Sequence, residues 1–156
     1  MRIKGKLIGA PESRLCVFER GEEKYVFTIN AVLDYTEFDK LCPTPSPPKV
    51  TKPGGVALAN PESPIFLEKL TKYSIVKTSW LILKALEQTE GLEWDDVNME
   101  DPDTWDKYKD ELMGSGLTEG EVAHLINQIY LVNSLDESKM NEARDRFIRG
   151  KKEEKM

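Results

Sequence analysis

Five prolines fall within the thirteen residues 43–55, which read Pro-Thr-Pro-Ser-Pro-Pro-Lys-Val-Thr-Lys-Pro-Gly-Gly. Each proline fixes its own φ and removes a backbone N–H, so the run cannot continue a helix or sit inside a sheet. Extended, polyproline-like backbone and turns are what remain. The chain must therefore build its packed structure on either side of this stretch. The expected organisation is an N-terminal β module over 1–42, a proline-rich linker over 43–60, a C-terminal helical domain over 61–150 and a charged tail over 151–156.

Ahead of the prolines, residues 3–8, 15–20 and 24–30 carry the composition of short strands, separated by Gly9-Ala10-Pro11-Glu12-Ser13 and Gly21-Glu22-Glu23. Val17, Tyr25, Phe27 and Ile29 supply the β-branched and aromatic side chains of a half-buried sheet. A three-stranded antiparallel meander is expected, with an apolar cover, because so few strands are marginal alone. A short helix from Asp34 to about Leu41 places Tyr35, Phe38 and Leu41 on one face.

Beyond the prolines the spacing is helical. Phe66, Leu70, Tyr73, Val76, Trp80 and Leu83 form one stripe from about Pro61 or Pro64 to Thr89, and Ile75, Ile82 and Leu86 form another. Such a helix belongs inside a bundle. Asp101-Pro102, Thr118-x-x-Glu121 and Ser134-x-x-Glu137 then mark three helix starts, the last two as capping boxes. The helices they open span 102–113, 119–133 and 135–148. The first carries Trp105, Tyr108 and Leu112, the second buries Val122, Leu125, Ile126 and Ile129, and the third buries Met140, Ala143 and Phe147. The acidic stretch 92–99 is expected to be a loop that tucks Trp94 inward. The fold class is α+β: a small N-terminal β meander with a short helix, a proline-rich linker and a four-helix C-terminal module.

Charge is unevenly distributed. The formal net charge is −6, residues 87–121 hold 13 acidic and 2 basic side chains, and 139–155 hold 7 basic and 4 acidic. This balance does not favour wrapping nucleic acid. Cys16 and Cys42 are too few for a disulfide framework and sit in apolar settings, as free thiols in a reducing compartment would. Met1 to Lys6 lacks a signal-peptide core, and the most apolar window, 75–86, is too short and too charged to span a bilayer. A cytoplasmic protein without membrane partners is expected.

Candidate chemistry is sparse. The single histidine, His124, has Gly120, Glu121, Asn127 and Gln128 as helical neighbours, the setting of a surface side chain. Pro53-Gly54-Gly55 lacks the Lys-Ser/Thr of a phosphate loop. The carboxylates Glu93, Asp95, Asp96, Glu100, Asp101, Asp103 and Asp106 do not match the spacing of a calcium loop. They read as a solvated acidic surface, then as a patch that docks a basic partner, and last as a metal-dependent site over 93–106. No nucleophile–base pair suggests catalysis, so a non-enzymatic protein without cofactor is expected. The apolar supply of 61–90 exceeds what three short helices can cover. Excess apolar helix surface marks a partner, a second copy or another chain.

Ala31-Val32-Leu33-Asp34-Tyr35-Thr36-Glu37-Phe38, then Leu41-Cys42-Pro43-x-Pro-x-Pro-Pro, resemble the small tail assembly proteins of tailed bacteriophages. So do Gly120-Glu121-Val122, Leu131-Val132-Asn133-Ser134-Leu135-Asp136 and Glu142-Ala143-Arg144-Asp145-Arg146-Phe147. The resemblance implies a tail assembly chaperone in the host cytoplasm. Such a protein coats the tape-measure protein, recruits tail-tube subunits and leaves before the particle matures. Many members of that family are all-helical, so strands over 3–30 would be a departure. A structural virion or baseplate subunit is the alternative reading. The residues expected to meet a partner are Phe66, Leu70, Tyr73, Leu125, Ile129, Tyr130 and Phe147. Homo-oligomers are also compatible with so much apolar helix.

Overall fold

A computed structural model of the chain describes residues 1–11, 13–51, 53–134 and 137–154. The fold is α+β, as the sequence implies. In chain order it has β1 (Arg14–Arg20), β2 (Glu23–Ile29), α1 (Thr36–Leu41), β3 (Lys49–Thr51), β4 (Ala57–Ala59), α2 (Pro64–Ala85), a 3₁₀ turn (Pro102–Lys107), α3 (Tyr108–Gly114), α4 (Glu119–Val132) and α5 (Glu137–Glu154). No described helix is long and apolar enough to cross a membrane.

These elements fall into two compact units that are not contiguous in sequence. One comprises 1–32, 85–92 and 117–156, and the other 33–84 and 93–116. The segments read as a β module and a helical domain therefore each contribute to both units.

In the first unit β1 and β2 form an antiparallel hairpin with Cys16 opposite Phe27 and Arg14 opposite Ile29. Strand alternation sends Cys16, Phe18, Phe27 and Ile29 inward and leaves Leu15, Val17 and Val26 outside. Phe18 and Phe27 meet edge to face at 5.9 Å between centroids. The inner face is covered by α4, whose Val122, Leu125, Ile129 and Val132 are buried at helical spacing. Thr118 and Glu121 close the capping box at its start, each side chain accepting from the other's backbone N–H. Two further ties fix the hairpin. Thr28 N–H donates to Thr89 Oγ1 at 3.0 Å while that hydroxyl donates back to the Thr28 carbonyl, and Val32 N–H donates to Asn133 Oδ1 at 2.7 Å.

The third strand of the expected meander is not formed. Within 3–8 the backbone turns back at once, with Lys4 at φ 52° and Gly5 at φ 75°, and Ile3 and Lys6 exchange both backbone hydrogen bonds. Two consecutive positive-φ residues make a two-residue hairpin turn, which converts a would-be strand into an isolated bridge.

The second unit is organised around an aromatic cluster. Phe38 of α1 is fully buried, with Tyr73, Trp80 and Trp105 rings at 5.5, 5.6 and 6.2 Å. Tyr35 lies 5.4 Å from Trp80, and the Lys77 ammonium sits 5.0 Å from the Tyr35 centroid. Trp80, Leu81, Ile82 and Leu83 are all buried, so this end of α2 is indeed apolar all round. The helix starts with Pro64 in its first turn, where Leu67 N–H donates to the Ser63 carbonyl. It ends at Ala85, earlier than the expected Thr89, which belongs to a turn closed by Thr89 N–H on the Leu86 carbonyl.

Part of the expected linker is structured. β3 and β4 pair as a small exposed hairpin, with Gly54 and Gly55 at φ 105° and 82° in its turn. Those two positions need a residue without Cβ. Of the remaining helix signals, Asp101 caps the 3₁₀ turn by accepting from Asp103 N–H. The expected single helix over 102–113 is split at Tyr108 into that turn and α3. The box Ser134-x-x-Glu137 spans residues 135 and 136, which lie outside those described. The helix it was to open runs further than expected, through Gly150 to Glu154, so residues 151–154 are helical and not a loose tail.

Candidate protein-binding surface

The first half of α2 is where the second unit leaves apolar side chains uncovered. Ile65 is 66% exposed, Ile75 56%, Leu67 48% and Leu70 36%. At 3.6 residues per turn they divide between two flanks, with Phe66, Tyr73 and Trp80 on the inward side between them. Ile65 and Ile75 occupy one flank, and Leu67 and Leu70 the other.

The Ile65 and Ile75 flank borders a groove of about 780 Å³ within the same unit, walled also by Val76 of α2 and Pro102 of the 3₁₀ turn. Glu68, Asp103 and Asp106 place carboxylates at this groove, and Lys69 and Lys72 line its α2 side. An apolar floor with charged margins is the form in which an amphipathic helix is received.

The residues expected to meet a partner divide by exposure. Leu70 and Phe147 are exposed, Phe147 at 64%. Phe66, Tyr73 and Tyr130 are half-buried. Leu125 and Ile129 are fully buried in the first unit, on the face of α4 that covers the hairpin, so neither is on a surface. They share the helical period of a binding stripe, and here the protein's own strands take that stripe up.

The reverse correction applies to α5. Met140, Ala143 and Phe147, expected to be buried, are exposed, as is every described side chain of that helix. Sequence reasoning gave Ile65 and Leu67 no role, although both fall outside the main α2 stripe and so signal apolar surface in excess of the core. Leu15, Val17 and Val26 on the outer face of the hairpin were missed likewise. Strand alternation, read strictly, would have marked them.

The carboxylate-rich segment has local structural partners. Glu111 accepts hydrogen bonds from the backbone N–H groups of Asp95 and Val97, folding the acidic loop back on α3. Asn98 anchors the same loop. Its N–H donates to Thr104 Oγ1 at 2.8 Å and its carbonyl accepts from Trp105 Nε1 at 3.0 Å. Trp105 is thereby held fully buried, whereas Trp94 is only half-buried and not tucked in as expected. Among the described residues no group of three or more His, Cys, Asp or Glu side chains is placed to hold a metal ion.

His124 is exposed. Cys16 and Cys42 are both free, and burial raises both thiol pKa values, with Asp103 adding to the effect at Cys42. The strongest electrostatic feature lies in the first unit. The Arg20 guanidinium engages both oxygens of Glu121, and this pairing, followed by the Thr118 backbone N–H bond, lowers the Glu121 pKa to about 2. The pair joins β1 to the first turn of α4. No protein-family model, characterised protein or solved structure matches the chain.

Proposed function

We propose that the chain is a non-catalytic protein-binding factor that receives a partner polypeptide along the first half of α2. The observation carrying this reading is that a 22-residue helix keeps Leu67 and Leu70 uncovered while residues 79–83 near its end are buried. Adjacent apolar side chains on a helix flank, framed by Thr71 and Ser74, form the kind of patch that a partner helix removes from water.

The finer reading rests on the sequence resemblance. It makes the partner the tape-measure protein of a tailed phage and the setting its assembly in the host cytoplasm, with tail-tube subunits recruited and the chaperone released. An acidic surface over 93–111 would keep such a complex soluble.

Co-expression with a helical fragment of the tape-measure protein, followed by calorimetry, tests both levels. Binding is expected, and Leu67→Asp with Leu70→Asp should weaken it at least about tenfold while leaving the circular dichroism unchanged. Binding unaffected by those substitutions would remove α2 as the surface. Absence of any complex, or stoichiometric presence of the chain in purified virions, would remove the chaperone reading and leave a structural subunit.

A further inference from the structure

Helix α5 is an amphipathic helix whose described side chains are all exposed, in a chain that also carries a groove suited to such a helix. Its 18 residues span about 27 Å. Met140, Ala143, Arg144, Phe147 and Lys151 recur at i, i+3, i+4, i+7 and i+11, so one face presents two large apolar anchors with cations beside them. Phe147 is 64% and Met140 56% exposed, and the Lys151 ammonium lies 5.2 Å from the Phe147 centroid. A highly charged helix of this length with a glycine at 150 gains little from intrinsic propensity, and most helices of this size are held by packing of an apolar face.

The groove of the second unit has the complementary character. Ile65, Ile75, Val76 and Pro102 offer apolar walls, and Asp103 and Asp106 place negative charge on the 3₁₀ side. The segment 93–111 around them holds nine acidic and two basic residues. The helix stretch 144–152 holds five basic residues and one acidic. Lys69 and Lys72 sit on the α2 wall, so the groove's attraction for a cation is on the 3₁₀ side.

We infer that the groove of one copy receives α5 of a second copy, with Phe147 seated against Ile75, Val76 and Pro102 and with Arg144 and Lys151 against Asp103 and Asp106. The contact is head to tail, because helix and groove are different surfaces. It therefore propagates into a ring or an open chain of copies. It does not use Leu67 and Leu70, and it stands whether or not those residues bind a foreign partner.

Sedimentation equilibrium of the full chain is the direct test. Weight-average mass should rise with concentration from about 10 μM to about 1 mM. It should fall back between about 0.05 and about 0.5 M salt as the rim charges are screened. A helix-reversed variant, Arg144→Glu with Lys151→Glu, and a groove-reversed variant, Asp103→Lys with Asp106→Lys, should each self-associate at least about tenfold more weakly. Mixed together they should co-assemble in alternating one-to-one stoichiometry, since the native helix fits the native groove and the reversed helix fits the reversed groove. A chain carrying all four substitutions should recover self-association. Phe147→Ala, a change at an exposed position, should weaken association to a similar degree without charge reversal. A monomer throughout the concentration range overturns the inference. So does a mixture that stays monomeric, and so does a groove-reversed variant that self-associates like the native chain, which would show α5 pairing with α5.

Discussion

Phe38→Ala probes the aromatic cluster at its centre. The ring is fully buried, and three aromatic neighbours stand 5.5 to 6.2 Å from its centroid. Truncating a buried phenylalanine costs about 3–5 kcal/mol through lost transfer energy and the cavity left behind. Three neighbours inside the range where ring pairs add about 0.5–1.5 kcal/mol each place this site near the top of that range, about 4–5 kcal/mol. Against a domain stability of about 5–15 kcal/mol, the second unit should become marginal. Trp80, Trp94 and Trp105, the three tryptophans of the chain, all belong to that unit, so tryptophan emission reports its unfolding. With a urea dependence of about 2 kcal/mol per M, the midpoint should fall by about 2 M. Phe38→Leu, which keeps most of the volume, should cost no more than about 1.5 kcal/mol. A loss below about 1 kcal/mol for the alanine variant would show that these rings are not close-packed, and the cluster would cease to explain the unit.

Three other outcomes are expected. Glu121, whose pKa falls from an ordinary 4.5 to about 2 on folding, adds stability that is complete above 4.5 and is lost as pH drops through about 2. Glu121→Gln should therefore flatten the acid limb of a melting-temperature profile between those values, and an unchanged limb would show that the Arg20 pairing does not persist in solution. Thr118→Ala removes the acceptor for Glu121 N–H and should cost about 1 kcal/mol in thermal unfolding, with a neutral result arguing against the capping box. Cys42 should react with a thiol reagent before Cys16, which is 5% exposed, and equal rates in the native protein would contradict the burial of β1 against α4.

What could be read from the sequence was what depends on residues three or four apart. The capping box at Thr118 and Glu121 and the Asp101 cap each need only a short oxygen acceptor and a nearby N–H, and both formed as read. The inward stripe of α2, from Tyr73 through Trp80 and Leu83, followed from the helical period for the same reason. Strand content was legible where β-branched and aromatic residues were dense, at 14–20 and 23–29. It failed at 3–8, where Lys4-Gly5 favours a tight turn over continuation. The proline-rich run concealed a hairpin because its only unbroken pieces, 49–51 and 57–59, are too short to signal by composition.

Exposure was harder to read than helicity. A 3.6-residue period states which side of a helix is apolar, and it is silent on what, if anything, lies against that side. Leu125 and Ile129 on α4 and Met140 and Phe147 on α5 carry the same kind of pattern. The first pair is sealed by the β1–β2 hairpin and the second is bare. The difference is set by long-range pairings that periodicity does not encode: Val32 with Asn133 and Arg20 with Glu121 bring the hairpin to α4, and Thr28 with Thr89 ties it to the turn after α2. Each of those ties joins residues more than sixty positions apart, and the two that involve α4 and its C-terminal cap use polar side chains that a hydrophobic pattern ignores. α5 is also much poorer in apolar residues than α4, with only Met140, Ala143, Phe147 and Ile148 among its 18 positions. The hairpin's inner face is already occupied by α4. A second helix cannot share that face, and Phe147 and Met140 stay exposed although Leu15, Val17 and Val26 on the hairpin's outer face are exposed as well.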